Sequence, residues 1–174
     1  FKLWKGGMSF HGGLLGVILS TYTFGKIKNL DYKVYFDTIA SVAPIGIFLG
    51  RIANFINGEL YGVPTDKPWG VIFPKIDSFP RHPSQIYEAL LEGIVLFIIL
   101  NLAVGKKKFV HGSVSLLFLI LYGIFRIISE QFRQPDDHVG YIFGYLSMGS
   151  TLSVVMIILG IFFLSKLFYN EKNR

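Results

Sequence analysis

Residues 39–62 read Ile-Ala-Ser-Val-Ala-Pro-Ile-Gly-Ile-Phe-Leu-Gly-Arg51-Ile-Ala-Asn54-Phe-Ile-Asn57-Gly-Glu59-Leu-Tyr-Gly62. An apolar run leads without a break into a cation, two amides and a carboxylate (Arg51, Asn54, Asn57, Glu59). That order places charge at or near the edge of a hydrophobic layer. Polar groups there cost free energy unless they find partners or water, so they mark a candidate functional site. From these residues alone two readings stay open: a functional cluster, or an arginine and two asparagines that cap a membrane helix at the interface.

Working outward, the chain has 174 residues, 52% of them hydrophobic, with 17 Phe and 9 Tyr. Only 16% are charged, where a soluble domain carries about 25%. Several apolar runs approach the roughly 20 residues that cross a bilayer core. The composition therefore predicts an all-α, polytopic helical membrane protein. The net charge of +6 is scattered among loops, which argues against a nucleic-acid partner and for membrane orientation and anionic lipid. The absence of cysteine excludes disulfides, thiolate metal sites and a cysteine nucleophile of the protein's own. Four histidines, His11, His82, His111 and His138, lie far apart and lack zinc-site spacing, so no metal and no cofactor is expected. The chain starts at Phe1 with no signal-peptide pattern, and reads as the remainder of something longer.

The apolar pattern predicts one integral-membrane domain, 1–174, with about five spans near 10–25, 35–54, 83–104, 111–132 and 141–168. The first is short and glycine-rich (Gly12, Gly13, Gly16), which suits close helix approach in lipid. Nine cations, Lys26, Lys28, Lys33, Lys106, Lys107, Lys108, Lys166, Lys172 and Arg174, fall on one side of that arrangement. The positive-inside rule makes this side, and the C-terminus, cytoplasmic. The 24-residue stretch Gly58–Arg81 then becomes a long outer loop. Arg51, Arg81, Arg126 and Arg133 lie toward the outer side, against the usual bias, and an anionic ligand is the simplest reason.

Within the fourth span, Tyr122, Arg126, Glu130 and Arg133 project at about 0°, 40°, 80° and 20° around a helix, forming one polar stripe. Arg126 and Glu130 are four apart and can pair, so a structural ion pair competes with a ligand site. Two guanidiniums and a hydroxyl on one cavity would suit a lipid phosphate, which arginine grips with its planar fork. His11, in Ser-Phe-His-Gly-Gly, is open to a ligand and is a candidate general base. A hydrogen-bonded interfacial anchor is the alternative for it.

Four blocks taken in order resemble the bacterial prolipoprotein diacylglyceryl transferase family. They are Met8-Ser-Phe-His11-Gly-Gly-Leu, Gly50-Arg51 through Tyr61-Gly62, Arg81-His-Pro-Ser-Gln85-Ile-Tyr87-Glu88-Ala-Leu-Leu-Glu92-Gly93, and Tyr122-Gly-Ile-Phe-Arg126 through Arg133-Gln-Pro135-Asp136. The resemblance implies an inner-membrane enzyme that moves diacylglyceryl from phosphatidylglycerol to the lipobox cysteine of a prolipoprotein signal peptide. A thioether forms and glycerol 1-phosphate leaves. It further implies that Arg51 and Arg126 hold the phosphate and that His11 is the candidate base. Asn54, Glu59, Gly62 and Tyr122 would shape the lipid site, with Glu130 and Arg133 in support. The missing cysteine agrees, because the nucleophilic sulfur would arrive on the acceptor. Ala53 stands where the family commonly has glycine, a small-for-small change. The family is normally longer before the His-Gly-Gly block, so an N-terminal part is expected to be missing from this chain. The alternative reading is a non-catalytic lipid-binding relative or a membrane transporter of an anionic solute.

Overall fold

The computed structural model describes residues 10–104, 110–134, 141–142 and 146–173. Helix α1 spans Phe10–Lys28, α2 Tyr32–Asn57, α3 Ser84–Glu88, α4 Leu96–Val104, α5 Ser113–Glu130 and α6 Met148–Lys172. A π-helical segment, Ala89–Val95, joins α3 to α4, so that 84–104 forms one 21-residue span. Among the described residues, four helices are long and apolar enough to cross a membrane: α2, the α3–α4 span, α5 and α6. The first of the five expected spans forms as the 19-residue helix α1 but is not among those four. Its three early glycines and Ser20, Thr21 and Thr23 dilute its apolar character.

Polarity is inverted relative to a water-soluble bundle. Ser84, Gln85, Glu88, Glu92, Ser113 and Ser129 are fully buried, while large apolar side chains along α1, α2, α4 and α6 are exposed. Such an outside suits hydrocarbon, and such an inside marks a site. The small apolar core consists of Leu96, Leu100 and Val114, with Phe118, Leu121 and Phe125 packed on it.

Local chemistry sets the helix ends. Asp31 caps α2 by accepting from the Lys33 N–H at 3.0 Å. Gly58, with φ of 72°, turns the chain out of α2 in the left-handed region that glycine favours. The last span was expected from residue 141, but its helix starts at Met148, capped by Ser147 accepting from the Ser150 N–H at 3.1 Å. Before it, Tyr141–Ile142 (β3) pairs antiparallel with Leu146–Ser147 (β4) instead. The α5–α6 contact is the most extensive in the bundle. It depends on small residues, since a Cβ on Gly123 or Gly160 would meet Ile157 or Ile120 at 2.7 Å. Gly93 does the same for α2, where a Cβ would lie 2.7 Å from that of Phe48.

The loop after α2 is ordered around a two-stranded hairpin, Val71–Ile72 (β1) with Pro80–Arg81 (β2). Gly62 threads between the backbones of His82 and Phe132, where any side chain would collide. Its N–H donates to the His82 carbonyl at 3.0 Å, and Val63 N–H donates to that of Phe132 at 3.0 Å. Arg81 grips Asp77, donates to the Gly62 carbonyl at 3.0 Å and lies over the Tyr61 ring at 5.0 Å. Its hydrogen bond holds the Asp77 carboxyl below the usual aspartate range. Arg81 therefore organises the loop, and of the four outer-side arginines only Arg51, Arg126 and Arg133 line a cavity.

At the opposite end of α2, the Asp37 carboxylate reaches the start of α5. It accepts from Gly112 N–H at 2.7 Å and Ser115 N–H at 2.8 Å, donors that a helix leaves unpaired in its first turn. Replacing Asp37 with alanine is expected to cost about 0.5–2 kcal/mol, the range for a lost cap. A thermal unfolding midpoint in detergent that does not fall in Asp37→Ala would contradict this.

Candidate active site

The site is built where α2, α5 and the π segment meet. Arg51 and Asn54 lie three apart on α2, and so occupy one face. Tyr122, Arg126 and Arg133 come from α5 and the turn following it. All five line a single cavity of about 490 Å³, closed on another side by Gly149, Leu152 and Met156 of α6 and by Ile47 of α2. One wall is cationic and the other aliphatic, as an amphiphile requires.

Behind the guanidiniums stand three carboxylates. Glu88 presents Oε2 to Arg51 Nε at 2.9 Å and Oε1 to Arg126 Nη1 at 2.6 Å. Glu92 sits beside both arginines, 3.1 Å from Arg51 Nη2 and 3.7 Å from Arg126 Nη1. Ser129 Oγ donates to Glu92 Oε1 at 3.1 Å. Arg126 Nη2 also pairs with Glu130 Oε2 at 2.6 Å, and Arg133 Nη1 lies 3.6 Å from Glu88 Oε1. Both Glu88 and Glu92 side chains are 0% exposed, against 16% for Arg51 and 10% for Arg126. The carboxylates are sealed behind the arginines, and the arginines face the cavity. Three guanidiniums against three carboxylates balance the charge of the cluster, which buried charge needs in order to persist.

The local fold accounts for this placement. The hydrogen-bond register changes between Glu88 and Glu92, within the π segment, a distortion often found at functional sites. Gly93, in the same segment, lets α2 come close enough for Arg51 to reach both acids. Gly149 keeps the other side open, because a Cβ there would lie 3.1 Å from Glu130 Oε1 and 3.3 Å from Arg126 Nε.

Of the residues singled out by sequence, Arg51, Asn54, Tyr122, Arg126 and Arg133 come together on the cavity, and Glu130 supports Arg126 from behind. Glu59 and Gly62 do not line it. Glu59 has an exposed side chain and contributes backbone, its carbonyl accepting from Gln85 Nε2 at 2.6 Å. Gly62 is the threading point of the loop. Leu60, between them, holds a positive φ of 54°, and Ser84 Oγ donates to its carbonyl at 3.0 Å. His11 belongs to α1, and its side-chain surroundings lie outside the described residues, as do Pro135 and Asp136. Glu88, Glu92, Ser129 and Gly149 were not assigned from sequence. The two acids did carry a signal: they are four apart in an otherwise apolar span, the test that drew attention to Arg126 and Glu130.

Apolar helices long enough to cross a membrane, packed around a guanidinium-lined, half-aliphatic cavity, define a polytopic helical membrane protein. The family model for prolipoprotein diacylglyceryl transferase matches residues 1–166, and the chain belongs to that family. Relatives named phosphatidylglycerol–prolipoprotein diacylglyceryl transferase agree. One from Geobacter sulfurreducens is 53% identical over 161 residues, covering 92% of this chain and 62% of the relative. One from Legionella pneumophila (strain Corby) is 49% identical over 162 residues, 92% of this chain and 63% of the relative. One from Rickettsia felis is 54% identical over 161 residues, 91% of this chain and 62% of the relative. The chain thus spans a little under two thirds of the length of these relatives.

Proposed function

We propose that the protein transfers diacylglyceryl from phosphatidylglycerol to the thiol of a prolipoprotein lipobox cysteine. The acceptor sulfur attacks the diacylglyceryl carbon that carries the phosphate ester. The S–C bond forms as the C–O bond breaks, and the electron pair leaves with glycerol 1-phosphate. The thiolate is the competent nucleophile, so the thiol proton must be removed, and His11 is our candidate acceptor. Arg51 and Arg126 hold the phosphate and stabilise the charge that gathers on the departing group. The observation that carries this reading is the convergence of those two guanidiniums on one amphiphile-shaped cavity. The aliphatic wall of Ile47, Leu152 and Met156 would take the glyceride end.

The test is transfer from phosphatidylglycerol to a lipobox peptide by the full-length protein in lipid. Phosphatidylglycerol binding without peptide modification would favour a non-catalytic binder and overturn the proposal.

The orientation belongs to the same reading: bacterial inner membrane, C-terminus cytoplasmic and the 58–81 loop outside, as the loop cations require. A cysteine placed at Asp66 is expected to react with an impermeant thiol reagent in intact cells, and one at Lys107 only after lysis. The reverse pattern would refute the topology.

A further inference from the structure

A second groove lies apart from the arginine cavity, at the C-terminal end of α2. It has a volume of about 230 Å³ and is lined by Phe55, Ile56 and Gly58 from the helix end and by Ile72, Pro74 and Lys75 from the loop, among others. Three features identify its chemistry. Ile56 and Ile72 on its walls are exposed, with relative accessibilities of 76% and 52%. Val42, Ile45, Leu49 and Ile56 are all exposed and fall within about 60° on one stripe of α2, so a continuous apolar track runs along the helix into the groove. Lys75 stands at the groove and is exposed. The nearest acid in sequence, Asp77, is taken up by Arg81, and no ion pair involves Lys75 among the described residues.

We infer that this groove is a site for a second, non-reacting anionic phospholipid, whose acyl chain follows the α2 stripe and whose headgroup phosphate meets Lys75. The end of a membrane-spanning helix is where hydrocarbon gives way to headgroups, and a lysine there attracts anionic lipid. The exposed Trp69 of the same loop, its indole N–H donating to Tyr87 Oη at 2.8 Å, is the kind of aromatic that sits at that level. The backbone pattern agrees: Phe73 turns inward against Phe55 and Tyr61 while its neighbour Ile72 faces outward. The inference does not depend on the transfer chemistry, because no residue of the arginine cavity lines this groove.

The test uses the full-length protein carrying Ile72→Cys as its sole cysteine, labelled with an environment-sensitive fluorophore. It is placed in nanodiscs of phosphatidylcholine with increasing phosphatidylserine, an anionic lipid that is not the donor. The emission is expected to shift to the blue, and aqueous iodide quenching to fall, as phosphatidylserine rises. Lys75→Gln should raise the phosphatidylserine fraction needed for half the change by roughly fivefold, the weight of one lysine near an anionic surface. Lys75→Glu should abolish the response, and Lys28→Glu, at the far side of the bundle, should leave it unchanged. A label that is shielded in every lipid composition would mean that protein covers the groove, and would overturn the inference. So would a response that ignores Lys75, or one that Lys28→Glu removes equally.

Discussion

Arg126→Ala is expected to lose transfer by a hundredfold or more, the consequence of removing about 3 kcal/mol of transition-state stabilisation. The same change strands two acids, since Glu88 Oε1 and Glu130 Oε2 each lie 2.6 Å from Arg126. Breaking a buried ion pair on one side typically costs about 3–5 kcal/mol, so folded protein has to be measured beside rate. Arg51→Ala should behave similarly, because Arg51 meets both Glu88 and Glu92 from α2. Arg51→Lys separates the two effects: it keeps the charge but replaces a planar fork by a point charge. It is expected to retain more stability than alanine and still transfer poorly. If Arg126→Ala transferred at near-normal rate with normal expression, Arg126 would be a structural partner of Glu130 and not a phosphate ligand.

The second large effect is expected at a residue that does not face the cavity. Glu88 divides its two oxygens between the arginines, one from α2 and one from α5, and thereby fixes their spacing. In Glu88→Gln one oxygen becomes an amide that donates, and donor faces donor at whichever guanidinium it meets. One arginine then loses its counter-charge and its direction. Turnover should fall at least tenfold, about 1.4 kcal/mol, with little change in the phosphatidylglycerol concentration at half-maximal rate if the remaining arginine still binds ground-state lipid. Glu88→Asp, charged but shorter, should recover part of the rate. A variant with unaltered turnover and unaltered unfolding would show that the bridge is dispensable.

Much of this arrangement is legible in the sequence. The membrane class follows from long apolar runs, which place spans at 35–54 and 111–132, while α2 runs Tyr32–Asn57 and α5 Ser113–Glu130 because caps such as Asp31 and Gly58, not the apolar pattern, set the helix ends. The polar stripe of α5 was legible because helical periodicity puts Tyr122, Arg126 and Arg133 together, and all three reach the cavity. Other features depended on tertiary context. The sequence from Tyr141 has the composition of a span start, yet Tyr141–Ile142 and Leu146–Ser147 pair as β3 and β4, and Ser147 caps α6. A π register within 89–95 has no pattern in so short a segment, although it sets how Glu88 and Glu92 address the arginines. Arg81 looked like one of four ligand arginines because its partner, Asp77, is fixed only once the hairpin forms. The bulk apolar pattern locates helices; it does not say which charges satisfy one another.

The most direct measurement is a paired product assay on the full-length protein in phosphatidylglycerol bilayers with a lipobox peptide. It follows radiolabelled diacylglycerol appearing on the cysteine and glycerol 1-phosphate appearing in solution. The account requires one glycerol 1-phosphate for each thioether, both lost together in Arg51→Ala and in Arg126→Ala. Peptide labelled without glycerol 1-phosphate, or both products undiminished in the arginine variants, would contradict it.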